Sequence, residues 1–278
     1  MHVLQIIRAV DVAVYHFLNG FAGSRALDHF AGFEEGNMLF RGALFLAVYW
    51  YLWFAGGADQ DRRRKAIVAI MVGTLFAVVI ARIVADLAPY RIRPMYDVHL
   101  QHRPYASPIS YYLVDWSSFP SDCATYFFAL AFGLAHLSRR LALPAMLCTA
   151  GWICLPRLFL GEHWASDVAA GALIGIALVW ASLKVEWIQS SFSTRLLALA
   201  EAKPGIFYAA AFLASFEMGT IFEDLRVVAR AVFDIARAEH RAFVDLFAFM
   251  ALSLLVISAY LTFLARKQRT LFRFARNT

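Results

Sequence analysis

Near the middle of the chain, the run PRLFLGEHWASDVAAG brings Arg157, His163 and Asp167 into one short stretch. An imidazole is both a nucleophile and a proton carrier near neutral pH. A carboxylate four residues further on shares its face if both are helical, where it orients the ring and stabilises its charged form. Arg157, six residues before the histidine, adds a fork of N–H donors that matches a phosphate. Ionisable groups at a membrane surface are costly to keep for packing alone, so this set reads as functional.

Two further clusters are less telling by themselves. YRIRP supplies Arg91, Arg93 and Pro94 just beyond an apolar run. Two guanidiniums so placed suit bidentate phosphate contacts, and they equally suit the common role of snorkelling to head groups. SSFPSDCATYFF, with Ser117, Ser118, Pro120, Ser121, Asp122 and Cys123, leads into a second apolar run. Pro-Ser-Asp before such a run is a helix start, and the free N–H groups of a first turn form an anion site, although capping alone would also account for Ser121 and Asp122.

The elements that must carry these residues are membrane helices. Of 278 residues, 61% are hydrophobic and only 17% charged. The mean hydropathy is +0.60. A soluble domain has roughly 45–50% apolar and about 25% charged residues. The composition therefore excludes a soluble enzyme, a nucleic-acid binder and a disordered scaffold, even with a net charge of +6. Spans of about 20 apolar residues are expected near 38–55, 66–88, 122–138, 141–160, 166–183 and 205–221, with another near 243–265. Residues 1–20 differ: Leu4, Ile7, Val10, Val14 and Phe17 recur at helical spacing beside polar positions, as in a helix lying in the interface. Arg8 and Asp11 interrupt the run, and no small-residue cleavage site follows, so a signal peptide is not expected. Three cysteines, Cys123, Cys148 and Cys154, form no CxxC pair and suggest neither a disulfide framework nor a metal cage.

Loop charge supplies the orientation. DQDRRRK at 59–65, the Arg139-Arg140 pair and the tail RKQRTLFRFAR at 266–276 fall on one side, which the positive-inside rule assigns to the cytoplasm. The segments near 89–121 and 156–165 then face outward, and they hold all three clusters. The segment 222–242 is also outward and alternates charged with apolar residues at helical spacing, as an interfacial helix would. Met95, Tyr96, Tyr105, Tyr111, Tyr112 and Trp116 in the first outward loop suit anchoring at head-group level or the lining of a lipid groove. Gly171 and Gly175, four apart on one span, suit a close helix contact.

Taken together, the clusters resemble the type 2 phosphatidic acid phosphatase (PAP2) superfamily, whose pattern is Lys-x6-Arg-Pro, Pro-Ser-Gly-His and Ser-Arg-x5-His-x3-Asp. The resemblance covers roughly 30–185, and Arg157, His163 and Asp167 reproduce the third motif's spacing. The SFPSD form of the second motif and the missing first-motif lysine are similar to the undecaprenyl-diphosphatase branch. The resemblance implies an all-α, polytopic membrane bundle. It would comprise an interfacial segment at 1–37, a six-helix PAP2-like core at 38–185 and a C-terminal helical extension at 186–278. His163 would take the phosphoryl group, Asp167 would orient it, and Arg93, Arg157 and Ser121 would hold the phosphate oxygens, with Arg91 and Asp122 in the same substrate-binding region. Neither a metal nor another cofactor is implied, because the arginines replace the cation.

Four positions depart from the family pattern: Asp86 for the lysine, Pro156 for the serine, Asp122 for the glycine and Cys123 for the second-motif histidine. That histidine is the family's general acid. A thiol near its ordinary pKa is largely protonated at neutral pH and could donate in its place, as could His99 or His102. A site without the acid is impaired less on a lipid diphosphate than on a monophosphate, because the departing lipid phosphate is the weaker base. The expected function is thus a phosphohydrolase of the cytoplasmic (inner) membrane, facing outward to the periplasm and acting on a lipid phosphate or polyprenyl diphosphate. The alternatives are a PAP2-like protein that binds or transports phospholipid head groups, and a phosphotransferase with another acceptor. The partners are then the bilayer and its lipids, not nucleic acid, and no pattern sets an oligomeric state.

Overall fold

The computed structural model describes residues 2–37, 39–100 and 116–222. The expected span near 243–265, the 222–242 segment, His102 and Tyr105, Tyr111 and Tyr112 lie outside them, apart from Phe222. The chain divides into a unit Met1–Ile221 and a second unit Phe222–Thr278, and every described helix belongs to the first.

All regular structure among the described residues is helical. Helix α1 (His2–Asn19) and α2 (Arg25–Gly36) precede a π-helical turn, Leu39–Ala43, which runs into α3 (Leu44–Phe54). Then come α4 (Gln60–Leu87), α5 (Asp122–Leu137), and a helix made of α6 (Arg139–Leu147), a π-helical stretch Cys148–Cys154 and α7 (Leu155–Phe159). Helices α8 (Ala165–Ser182), α9 (Ser193–Ala202) and α10 (Pro204–Gly219) complete the unit. Among the described residues, three helices are long and apolar enough to cross a membrane, Gln60–Leu87, Arg139–Phe159 and Ala165–Ser182; Leu39–Phe54 and Asp122–Leu137 are shorter apolar helices. The expected run at 205–221 is helical as α10.

Helices α4, α5 and α8 form the centre of the bundle. Between apolar helices in lipid there is no hydrophobic drive, so close backbone packing by small residues has to supply the contact. Helix α4 buries Ala66, Ala69, Gly73, Ala77, Ala81 and Ala85, a stripe at helical spacing. Gly171 and Gly175 do the same for α8: a Cβ at Gly171 would stand 2.5 Å from the Ser121 carbonyl oxygen, and one at Gly175 would strike the Thr125 carbonyl. The two glycines thus set the start of α5 against the N-terminal half of α8, the placement on which the site depends. The other end is held by Ser182, whose hydroxyl donates to the Ala69 carbonyl (2.9 Å).

Outward faces are apolar, with Phe76, Val79, Ile83, Leu173, Trp180, Phe212 and Phe216 exposed. Such a surface suits lipid rather than water. Helix α1 has the same inside-out character. Leu4 and Phe17 are 75% and 68% exposed, whereas Asp11, Tyr15 and Asn19 are buried against the bundle. The side of α1 that bears Asp11 turns inward, where Asp11 pairs with Arg91 and accepts from Ser166.

Candidate active site

Three loop segments and two helix starts meet at one end of the bundle. Gly161 organises the junction: its φ of +72° is the left-handed region that favours glycine, and a Cβ there would stand 3.0 Å from the Tyr15 ring and 3.1 Å from the Met95 nitrogen. With no side chain in the way, the Gly161 carbonyl accepts from the Met95 N–H (3.0 Å), which seats the Arg93-Pro94 loop beside His163. Trp164 secures the same loop, its indole N–H donating to the Ile92 carbonyl (2.9 Å).

His163 Nδ1 lies 2.9 Å from the Ser118 carbonyl oxygen. A carbonyl only accepts, so Nδ1 carries the hydrogen and Nε2 keeps its lone pair. Nε2 faces the Arg93 guanidinium, with Nη1 at 3.5 Å. Arg93 is held in turn by the Glu162 carbonyl (Nη1, 2.7 Å) and the Ser117 carbonyl (Nη2, 3.5 Å). Burial, reinforced by Arg93 and Arg157, lowers the His163 pKa to about 3, against the opposing pull of Glu162. The imidazole is therefore neutral at physiological pH. Burial also lowers the Arg93 pKa, opposed mainly by Glu162 and Asp122.

Asp167 sits in the first turn of α8 with no exposure. Its Oδ2 accepts from the Trp164 N–H (2.8 Å) and stands 3.9 Å from His163 Nδ1, so its action on the ring is electrostatic while the Ser118 carbonyl makes the hydrogen bond. Its other oxygen binds Arg91. Arg91 also binds Asp11 (2.6 Å) and the Ser166 hydroxyl (2.8 Å). Expected on phosphate, this guanidinium is instead engaged by α1 and α8. Asp11 additionally accepts from the Ser166 N–H (2.8 Å) and hydroxyl (2.7 Å), so α1 is clamped over the α8 N-terminus.

Ser121 caps α5 by accepting from the Ala124 N–H (3.3 Å), and its own N–H donates to the Asp167 carbonyl (3.1 Å). Asp122 turns to Arg82 (2.6 Å), which also pairs with Asp86 at 3.6 Å. Two of the departures from the family pattern thus share one arginine. Arg82 lies 4.6 Å from the Trp116 ring centroid, and with Asp86, Tyr90, Trp116 and Ser117 it lines a cleft of about 370 Å³ beside the site. Arg157 pairs with Glu162 (2.5 Å), and its charge is the foremost one acting on the buried Cys123.

The expected residues Arg93, Ser121, Cys123, Arg157, His163 and Asp167 therefore gather at one end of the bundle, while Arg91 and Asp122 are tied into ion pairs at its margin. Sequence reasoning missed Asp11, Ser118, Glu162 and Arg82 as partners, and it passed over Glu34 and Arg41. The available signal was charge inside or beside apolar runs, which marks functional positions in membrane chains. Ser118 acts through its main chain and gave no signal.

Residues 89–190 match the family model described as the PAP2 superfamily. The chain is similar to the bacitracin transport permease protein BcrC of Bacillus licheniformis, at 24% identity over 193 residues, covering 66% of this chain and 86% of that protein. No solved structure matches significantly. The region similar to the PAP2 superfamily thus lies within what is, among the described residues, an all-helical membrane bundle.

Proposed function

We propose that this protein is a membrane phosphohydrolase that removes phosphate from a lipid phosphate or diphosphate, with a polyprenyl diphosphate foremost. The reaction would pass through a phosphohistidine on His163. The supporting observation is the neutral His163, whose Nδ1–H is committed to the Ser118 carbonyl and whose Nε2 stands 3.5 Å from Arg93. That arrangement puts a lone pair beside the group best suited to grip a phosphate oxygen.

In this reading Arg93, Arg157 and the Ser121 hydroxyl hold the phosphoryl oxygens and their developing charge. Nε2 attacks phosphorus in line with the departing oxygen, and Asp167 stabilises the ring as it becomes cationic. Water then attacks the phosphohistidine, and the N–P electron pair returns to Nε2. By the positive-inside rule the site opens on the outer face of the cytoplasmic membrane.

Purified protein in detergent should release phosphate from a polyprenyl diphosphate, and quenching within a turnover in alkaline denaturant should trap a base-stable phosphoprotein that loses its phosphate in acid. Absence of both would refute the reading. Cys123 in the general-acid position favours a second reading, a PAP2-like protein that binds or transports phospholipid head groups; binding of those head groups without turnover would support it. Transfer to another acceptor would instead give a phosphorylated product in place of free phosphate.

A further inference from the structure

One buried carboxyl has no task in the transfer of the phosphoryl group to His163 and on to water. Glu34, in α2, is fully buried, and neither of its oxygens has a hydrogen-bond partner among the described residues. One turn earlier on the same face, Ala31 packs with Phe159 and Leu160 in a buried cluster, so α2 docks on α7 with Glu34 turned toward the helix that bears Arg157.

The charges around Glu34 locate it further. Arg157 of α7 acts on it most strongly, then Arg41 of the π-helical turn, then Glu162 from the loop before α8. The same three residues, together with Glu34, act on Cys123 at the start of α5. Glu34 also acts on Cys148 and Cys154 of the π-helical stretch. Glu34 thus shares one buried neighbourhood with the phosphate-holding arginine and with the residue that occupies the family's general-acid position.

We infer that Glu34 is the proton donor to the leaving oxygen, a catalytic task for which position 123 carries only a buried thiol. The inference rests on the phosphohydrolase reading. As the Nε2–P bond forms and the P–O bond to the leaving group breaks, the departing oxygen takes the proton of the Glu34 carboxyl. The resulting carboxylate faces Arg157 and Arg41. In the second step it takes a proton from the attacking water as the new P–O bond forms and the P–N bond breaks. Phosphate leaves, and both Glu34 and His163 return to their starting states.

The resting protonation state fits this role. Burial raises the Glu34 pKa from 4.5 to about 7, against the opposing pull of Arg157 and Arg41, while Glu162 adds to the rise. The group is therefore poised near neutral pH, where a general acid is most effective. Below about 7 it holds the proton it must give. As pH rises through that value the proton is lost and the rate falls.

The test compares leaving groups of graded basicity on the full chain in detergent: a lipid monophosphate, a polyprenyl diphosphate and p-nitrophenyl phosphate. For Glu34→Gln the expected loss is about 10²–10⁴-fold in kcat on the monophosphate, smaller on the diphosphate and slight on the nitrophenyl ester, whose phenolate needs no proton. Glu34→Asp should restore part of the loss, and adding Cys123→His to Glu34→Gln should restore more. Equal loss on all three substrates, or none, would overturn the assignment while leaving the hydrolase reading intact. Wild-type protein inert on all three would overturn both. Should Glu34→Gln fail to fold, the wild-type pH profile decides. A basic limb near neutrality on the lipid substrates, absent with the nitrophenyl ester, is expected, and profiles that coincide for all three would overturn the assignment.

Discussion

The two ends of the bundle both carry arginines, and they use them in opposite ways. At the start of α4, Arg62 pairs with the N-cap Asp59 at 3.0 Å with both side chains exposed, while Arg63 and Arg64 donate to the Leu52 and Trp53 carbonyls that end α3. These charges meet water or helix-end carbonyls, where solvent screens them and the helix dipole welcomes them. At the site end, Arg91, Arg93 and Arg157 are largely withdrawn from solvent, and Asp11, Asp167 and Glu162 stand against them. Removed from water, a charge acts far more strongly on its neighbours. The same residue type stays exposed or caps helix-end carbonyls at one end, and at the other is withdrawn among carboxylates, where Arg93 and Arg157 help to lower the His163 pKa.

Substitutions from the two ends should separate sharply in activity. The largest effect belongs to His163→Ala, with loss of at least about 10⁴-fold in phosphate release and no trapped phosphoprotein. Retained turnover would remove His163 as nucleophile and the site end as the reacting one. Arg93→Lys keeps the charge but loses the fork that spans the Glu162 and Ser117 carbonyls. A fall of about 10²–10³-fold in kcat/KM on lipid phosphates is expected, and a near-normal value would mean that charge alone suffices there.

Smaller effects probe the scaffold around the site. Asp11→Ala strips Arg91 and Ser166 of an acceptor and releases α1 from α8. A loss of about 1–3 kcal/mol of stability is expected, read as a lower unfolding midpoint in detergent, with activity falling less than for Arg93→Lys. Unchanged stability would mean that α1 is held by its apolar contacts alone. Smallest is Arg62→Gln, an exposed pair worth less than about 1 kcal/mol. Activity indistinguishable from wild type is expected, and a marked loss would break the contrast between the two ends.

Much of the architecture was legible in the sequence because it depends on local spacing. The apolar runs located α3 to α8, since a bilayer admits little else at that length and hydropathy. Gly171 and Gly175 at a four-residue interval foretold the tight α5–α8 contact. Arg157, His163 and Asp167 were legible because five- and three-residue gaps between such groups are hard to explain by packing. Arg91 was misleading, since a guanidinium beside a helix end looks alike whether it meets a phosphate or two carboxylates from distant helices. Asp11 was read only as an interruption of an apolar run, yet it lies on the inward side of α1 and pairs with Arg91.

What the sequence by itself determined, then, was a multi-pass helical membrane protein and a set of candidate residues at one end of it, because hydrophobic length and motif spacing are properties of short segments. What only the tertiary structure decided was which partner each charge takes. The Ser118 carbonyl, rather than Asp167, hydrogen-bonds His163; Asp86 and Asp122 converge on Arg82; and Glu34 comes into the same buried surroundings as Arg157 and Cys123. The reason is physical. In a low-dielectric interior a charge must be paired or neutralised, and the groups available to do so are selected by helix packing, across separations of tens to more than a hundred residues that no local pattern records.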